Sequence, residues 1–421
     1  MFDPKRVRQD FPIFSQPAEQ RLVYLDNAAT SQKPHAVIDA ITQYYTTANA
    51  NVHRGVHKLS DRSTHVWETS RAAVAHFFGA QPDELILTRN TTEALNGVAY
   101  GWGETNIHEG DVILTTILEH HANIVPWQRL AARKNARVVC IKLTADGRID
   151  LENFSDVLKK YDTKIKLIAV AHVSNALGTL VPVAELVERV HAQFTAVNRP
   201  RICLDGAQSA PHIPINFASL AVDFFAFSGH KMLGPMGVGG LIVKQELLAC
   251  GQVQPWLFGG GMIATVSCET TTFAESLSER FTPGTPDVAS AAGLAAACSY
   301  LRNLGMENVQ AHDRELVEYA LEQLSKIPAV TIIGPLQKYG ADTVRVGSVS
   351  FVYEGVHAHD VAQVLDSEGV AVRSGHHCTM PLHTNFGWQA SVRVSFSVYT
   401  AKEDIDVLVQ ALAKVAEVFG S

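Results

Sequence analysis

Through about its first two thirds the chain alternates short, continuously apolar runs with longer stretches whose apolar positions recur at helical spacing. Glu84-Leu85-Ile86-Leu87-Thr88, Asp111-Val112-Ile113-Leu114 and Lys166-Leu167-Ile168-Ala169-Val170-Ala171 are such runs. Unbroken apolarity is what a strand covered on both faces requires, whereas a half-exposed strand alternates. The pattern therefore predicts a mostly parallel sheet between helices, the three-layer α/β/α form of the α/β class. After Pro283-Gly284-Thr285-Pro286 the texture changes. An alanine-rich helix is expected from 289 to about 327, with strands near 346–352, 369–373 and 392–398. A final helix should follow, with Thr400 as N-cap and Glu403 closing a capping box. This second region reads as a smaller α+β domain. The expected division is an N-terminal segment at 1–21 packing with the small domain, a large domain at 22–296 and a small C-terminal domain at 297–421. There is no internal repeat, and Gly259-Gly260-Gly261 is the most flexible-looking stretch.

Composition narrows the function. The 421 residues are 47% hydrophobic and 18% charged, the ordinary globular range. A net charge of −7, without any Lys/Arg-rich run, argues against a nucleic-acid partner. The opening Met1-Phe2-Asp3-Pro4-Lys5-Arg6 has no apolar stretch behind it, and no apolar segment reaches spanning length, so no membrane association is expected and the protein is read as soluble and cytoplasmic. The six cysteines are scattered, three of them inside apolar runs (Cys140, Cys203, Cys298), which suits reduced, buried thiols better than a disulfide framework.

The chemistry gathers at the ends of the apolar runs. Ser228-Gly229-His230-Lys231 follows Asp223-Phe224-Phe225-Ala226-Phe227 and precedes a glycine-rich turn. A lysine delivered from a strand end into a tight loop is placed to be desolvated, which lowers its pKa and makes it a Schiff-base nucleophile. Asp205 ends the run Arg201-Ile202-Cys203-Leu204. Ligands of open α/β sheets bind at that edge, where an acid would keep the ring nitrogen of a pyridine cofactor protonated. Asn90-Thr91-Thr92-Glu93 follows another strand; Asn90 can cap the next helix while Glu93 reaches back, leaving amides and threonine hydroxyls as a cup for phosphate. Glu119-His120-His121-Ala122-Asn123 and Ala171-His172-Val173-Ser174-Asn175 end two further runs and bring an imidazole and an amide to the same edge.

Arg373-Ser374-Gly375-His376-His377-Cys378 lies in the second region. A thiol beside two imidazoles can be held partly as thiolate, which makes Cys378 the candidate nucleophile. The rival is a metal site from His376, His377, Cys378 and His383, but three consecutive residues diverge and paired-ligand spacing is absent, so no metal is expected. Gly237-Val238-Gly239-Gly240 opens no helix in a βαβ unit, which argues against a dinucleotide.

Taken in order along the chain, these motifs, together with Tyr24-Leu25-Asp26-Asn27-Ala28-Ala29-Thr30, Asn51-Val52-His53-Arg54-Gly55, Asp205-Gly206-Ala207-Gln208 and Gly284-Thr285-Pro286, closely resemble the cysteine desulfurases of the class V aminotransferase family, specifically the SufS/CsdA-like group. The short span from Cys378 to Arg393 is the feature that favours that group. The resemblance implies the fold type I architecture of pyridoxal 5'-phosphate enzymes and conversion of L-cysteine to L-alanine with a persulfide left on Cys378. Lys231 would anchor the cofactor, with Asp205 at its ring nitrogen, Gln208 at its ring hydroxyl and His120 on its face and as an acid or base. Thr91, Thr92, Ser228 and His230 would hold the phosphate, with Thr285 supplied across a homodimer interface. Asn175, Arg393 and Arg373 would hold the substrate. A small SufE/CsdE-like acceptor protein would take the sulfur, toward iron–sulfur cluster assembly or another thiolation route. Two motifs depart from the family pattern: Thr282-Pro283-Gly284-Thr285-Pro286-Asp287 and Arg89-Asn90-Thr91-Thr92-Glu93. The alternative is a selenocysteine lyase acting on L-selenocysteine; behind it stand a transaminase or kynureninase-type lyase of the same class, and a catalytically idle sulfur-relay scaffold.

Overall fold

The computed structural model describes residues 2–15, 22–53, 55–336 and 344–420. Arg54, within one of the motifs above, lies outside the described residues. The first two thirds build a seven-stranded sheet in the order Leu85–Thr88, Gly239–Val243, Phe224–Ser228, Arg201–Asp205, Ile165–Ala171, Val112–Thr116, Arg137–Ile141. Only Gly239–Val243 runs against the others, pairing antiparallel with both neighbours. The expected mostly parallel sheet is what forms, in an α/β fold. Its central strands are buried along their length except at Arg201, as their continuous apolarity required.

Helices cover both faces. On one, Val288–Leu304 packs across His35–Thr47 and Lys58–Phe77; on the other, Trp102, Trp127 and Leu130 close over Phe224 and Leu241. One close approach explains a glycine. A Cβ on Gly206 would stand 2.1 Å from Phe225 Cζ, so the turn after Asp205 lies flat on that buried ring only without a side chain.

A second, four-stranded antiparallel sheet runs Val330–Ile333, Ser348–Tyr353, Ser391–Ser395, Arg373–Gly375. It has its own core around Phe351, Val392, Leu365 and Leu408. The long alanine-rich helix is two helices, Val288–Leu304 and Met306–Leu324. They break at Gly305, whose φ of 81° belongs to the left-handed region. Helix Val288–Leu304 passes unbroken through residue 297, where the sequence placed a boundary. The last helix, Lys402–Phe419, starts one residue later than expected: Ala401 is its N-cap, and its N–H donates to Asp404 Oδ2 at 2.9 Å. Thr400 instead accepts from the N–H of Ser397.

The N-terminal stretch ties the two sheets together. Arg8 forms an ion pair with Asp404 at 3.0 Å, and Phe11 packs edge-on against Tyr399. Val23–Tyr24 pairs with Val370–Ala371, and Asp26 bridges to Ser395. The same stretch then reaches the large sheet, where Ser31 and Lys33 donate to the carbonyl of His230.

Among the described residues no helix is long and apolar enough to cross a membrane. The six cysteines are unpaired; Cys203 and Cys298 are buried as expected, but Cys140 is exposed because it sits on the edge strand of the large sheet.

Candidate active site

Five strands of the large sheet end at one cavity of about 220 Å³, and each brings one of the sequence motifs. The lining includes Thr91 and Thr92, His120, Asn175, Asp205 and Gln208, and Ser228, His230 and Lys231. The small sheet closes it with Arg373, His377, Cys378 and Arg393. Twelve of the thirteen residues singled out from the sequence thus face one space. The thirteenth, Thr285, is exposed and lies elsewhere on this chain.

Lys231 sits on a single turn, Gly229–Lys231, directly after strand Phe224–Ser228. Burial pushes its amine down to about 8, opposed by Asp205 and the Cys378 thiol. Burial raises the Asp205 carboxyl, with the Ala207 amide at 3.0 Å and Lys231 working against it. The carbonyl beside the lysine, that of His230, accepts from Ser31 N–H at 3.0 Å and Lys33 Nζ at 2.9 Å, which fixes the turn.

At the neighbouring strand end Asn90 caps helix Thr91–Gly97, its Oδ1 accepting from Glu93 N–H at 3.0 Å. Glu93 reaches back one residue further than expected, to the N–H of Arg89. Thr91 and Ser228 share a 2.7 Å hydroxyl contact, so the helix N-terminus and the lysine strand present their hydroxyls together. His120 accepts at Nδ1 from Ala122 N–H at 3.0 Å. Its other nitrogen therefore carries the proton, and burial with Lys231 nearby lowers its pKa to about 3, so the ring is neutral.

The thiol's surroundings differ from the expectation. His377 is buried, with Nε2 turned to Ser391 Oγ at 3.0 Å, and burial together with Arg393 lowers its pKa to about 2. The ring is thus neutral, with Nε2 committed to Ser391. The charges that act with the thiol come from outside its own motif, on Lys231 and Arg393. His383 also turns to Ser391 Oγ, at 3.0 Å, and packs against both neighbouring imidazoles, so the histidines here form a packed network. Among the described residues no group of three His, Cys, Asp or Glu side chains could hold a metal.

Arg393 is 2% exposed. It donates to Asp26 Oδ1 at 3.0 Å and to the carbonyl of Asn175 at 2.9 Å, while its Nε has no partner among the described residues. Burial lowers its pKa to about 10, still charged at neutrality. Asn175 spends its own amide on the carbonyl of His377 at 2.7 Å.

One buried acid beneath the site escaped the sequence. Glu119 is fully buried, accepts from Thr116 Oγ1 at 2.7 Å and from Asn123 Nδ2 at 2.6 Å, and lies close enough to Asp205 to feel its charge. Burial pushes its carboxyl up to about 8, so it is protonated at neutral pH. An acid immediately before the paired histidines, at a strand end, was the available signal.

The family model described as Aminotransferase class-V matches residues 23–408. The probable cysteine desulfurase 2 of Mycobacterium leprae is 46% identical over 99% of this chain and 98% of its own length. The apo cysteine desulfurase of Thermococcus onnurineus NA1 superposes with a TM-score of 0.90 at 38% identity, covering 99% of both chains. The cysteine desulfurase CsdA of Escherichia coli does so with a TM-score of 0.87 at 33% identity, covering all of both. With five strand ends and the small-domain thiol converging on one cavity, and with identity of this depth along the whole length, the chain belongs to the class V aminotransferase family, among its cysteine desulfurases.

Proposed function

We propose that the chain is a pyridoxal 5'-phosphate-dependent cysteine desulfurase that converts L-cysteine to L-alanine and leaves the sulfur on Cys378 as a persulfide. The observation that carries this reading is the meeting of Lys231, Asp205, Cys378 and Arg393, brought from two separate sheets, at one cavity. The donor set fits the cofactor: a desolvated lysine, a buried acid across the same space, and hydroxyls gathered at a helix N-terminus. When bound, the cofactor's ring supplies an electron sink that weakens bonds at the substrate's α- and β-carbons.

The chain's own residues do the rest. Lys231 holds the cofactor and, its pKa near neutrality, moves the α-proton. Asp205 keeps the ring nitrogen protonated, Gln208 meets the ring hydroxyl, and neutral His120 covers the ring and offers its Nε2 proton. Thr91, Thr92, Ser228 and His230 take the phosphate. Arg393 Nε, an unsatisfied donor in a buried site, is available for the substrate carboxylate, with Arg373 at the same wall. The thiolate of Cys378 bonds to the substrate sulfur; the Cβ–S pair departs toward carbon, which takes up protons to give alanine, and the sulfur stays on the enzyme.

Thr285 is proposed to complete the phosphate site of a second copy. Its exposure, and the exposed Leu257, Phe258 and Met236, fit a homodimer. A large domain at 22–296 and a small one at 297–421 stay the proposed division; the helix that carries position 297 runs on to Leu304, ahead of Gly305. A SufE/CsdE-like protein is the acceptor and the cytoplasm the setting, in keeping with six unpaired thiols. The test is incubation with L-cysteine, without and with a reductant. Alanine should appear in one equivalent without reductant and turn over with it, and the peptide carrying Cys378 should gain one sulfur. Alanine released from a Cys378→Ala variant at the undiminished rate would overturn the assignment. L-selenocysteine, run in parallel, shows whether the thiol is also needed for selenium.

A further inference from the structure

The backbone around Cys378 is held in an unusual shape. His377 and Cys378 both have left-handed φ values, 51° and 59°, in two consecutive residues that carry β-carbons. Such residues cost free energy and persist only where their surroundings hold them. The turn closes on itself through Thr379, whose N–H and hydroxyl donate to the His376 carbonyl at 2.8 and 2.7 Å, and further restraints come from the large domain. His121 N–H donates to the carbonyl of Cys378 at 2.8 Å, and His121 Nε2 accepts from Met380 N–H at 3.1 Å. One residue thus grips the chain twice, at the thiol's own carbonyl and two residues beyond it, while Asn175 holds the His377 carbonyl on the N-terminal side at 2.7 Å. Met380 opens helix Met380–Phe386, so the N–H that the ring receives is one with no acceptor inside that helix.

The gripping residue is itself anchored. It lies on the turn His121–Asn123, beside the buried Glu119. Asn123 donates to Glu119 Oε2 at 2.6 Å and accepts from Trp127 Nε1 at 3.0 Å, with Trp127 fully buried. The turn cannot shift without breaking this chain of buried bonds.

We infer that His121 is a positioning residue for sulfur transfer, whose backbone N–H and ring nitrogen together hold the Cys378 loop with its thiol over the cavity. This rests on Cys378 being the sulfur acceptor. His121 does not line that cavity, so it acts through the loop and touches neither substrate nor cofactor. Loss of the ring's bond frees the loop on its C-terminal side, and the strained backbone relaxes away from the attacking geometry. A displacement of about 1 Å at a reacting group can cost roughly a hundredfold in rate.

The experiment uses the holoenzyme and four proteins: wild type, His121→Ala, His121→Phe, which keeps ring volume without an acceptor, and His121→Gln, which keeps an acceptor at similar reach. Two readouts are taken. One is single-turnover persulfide formation on Cys378 against L-cysteine concentration; the other is hydrogen exchange at the Met380 amide, which reports the tether whether or not Cys378 accepts sulfur. The Ala and Phe variants should show faster Met380 exchange and a persulfide rate lower by about tenfold to a hundredfold at saturating cysteine, with half-saturation and cofactor absorbance near wild type. His121→Gln should recover both readouts toward wild type. Wild-type exchange at Met380 in His121→Phe overturns the tether. Faster exchange with an unchanged persulfide rate overturns its role in sulfur transfer, and so does a slowed rate that His121→Gln fails to recover.

Discussion

The two halves of the cavity are built by different means. On the large sheet, Asp205, Ser228 and Thr91 occupy the ends of regular, fully hydrogen-bonded strands or the first turn beyond them, with ordinary backbone angles. On the small sheet, Cys378 sits in a loop with left-handed backbone at two successive residues, held by Asn175 and His121 from the opposite half. The cofactor half is a consequence of the strand edge, where side chains converge because strands do. The sulfur half is shaped by contacts across the interface, so its geometry depends on the two domains staying together.

That contrast predicts a clean separation when each half loses its reactive group. Lys231→Ala removes the cofactor's anchor, so the protein's visible absorbance should be lost along with activity. Cys378→Ala should leave the absorbance intact and abolish persulfide formation, lowering cysteine turnover by about a thousandfold or more. Absorbance spectra and single-turnover assays on the two proteins check this. If Cys378→Ala also loses the cofactor, the halves are not independent and the comparison fails.

Arg393 is a further tie between the halves. It joins Asp26 of the N-terminal stretch to the Asn175 carbonyl of the large sheet, from a strand of the small one. A lysine keeps the charge but loses the planar fork, so it cannot serve both partners and a carboxylate together. Arg393→Lys should raise the half-saturating cysteine concentration and lower kcat/KM by roughly a hundredfold, about 2.7 kcal/mol. Steady-state alanine release measures it. An unchanged kcat/KM would mean that Arg393 is a structural tie alone.

The same contrast decides what could be read from the sequence. Continuous apolar runs announce buried parallel strands, and a chemical residue after each run is then at the cavity by geometry. Thr91, His120, Asp205 and Lys231 were legible for that reason. Across the interface the reading weakened. The two imidazoles next to Cys378 in sequence suggested thiolate stabilisation, yet His377 turns inward to Ser391 and the nearby charges are Lys231 and Arg393. Neighbours along a loop do not share a direction, and partners brought by another sheet leave no local pattern. The grip of His121 and the role of Asp26 are of that second kind. Gly305 is a different case within one element: apolar periodicity continues across it, while the glycine itself, with Arg302 in the turn before, is the stop signal that its backbone angle of 81° realises.

If the cofactor half owes its accuracy to packing beneath the strand ends, disturbing that packing should weaken it without touching a reactive group. Gly206→Ala places a methyl 2.1 Å from Cζ of the fully buried Phe225, so the ring or the turn has to move. Overpacking of this kind costs about 1–3 kcal/mol. The variant should unfold at lower urea and bind the cofactor less firmly, because Asp205 is the preceding residue. Equal stability and equal cofactor retention would show that the turn adapts, and that the large half is less rigid than its strands suggest.

The smallest effect sharpens the comparison most, because it concerns a group that touches neither substrate nor thiol. Glu119 is protonated in the folded chain, with a pKa of about 8 against 4.5 when exposed. A raised carboxyl pKa means that the folded state binds more protons than the unfolded one between those values. Its contribution to stability is therefore full below about pH 4.5 and is lost as pH rises through about 8. Glu119→Gln keeps the shape and cannot ionise. At pH 5 it should cost about 1 kcal/mol, since the amide brings two N–H groups where the protonated acid has one O–H, into a buried site where Thr116 and Asn123 already donate. As pH rises toward 8 the difference should shrink and then reverse, the variant keeping stability that the wild type loses. Urea unfolding across that range reads the crossing. Parallel pH profiles for the two proteins would place an ionised carboxylate beneath Asp205, and the large half would then rest on a buried charge in place of a neutral hydrogen-bonded acid.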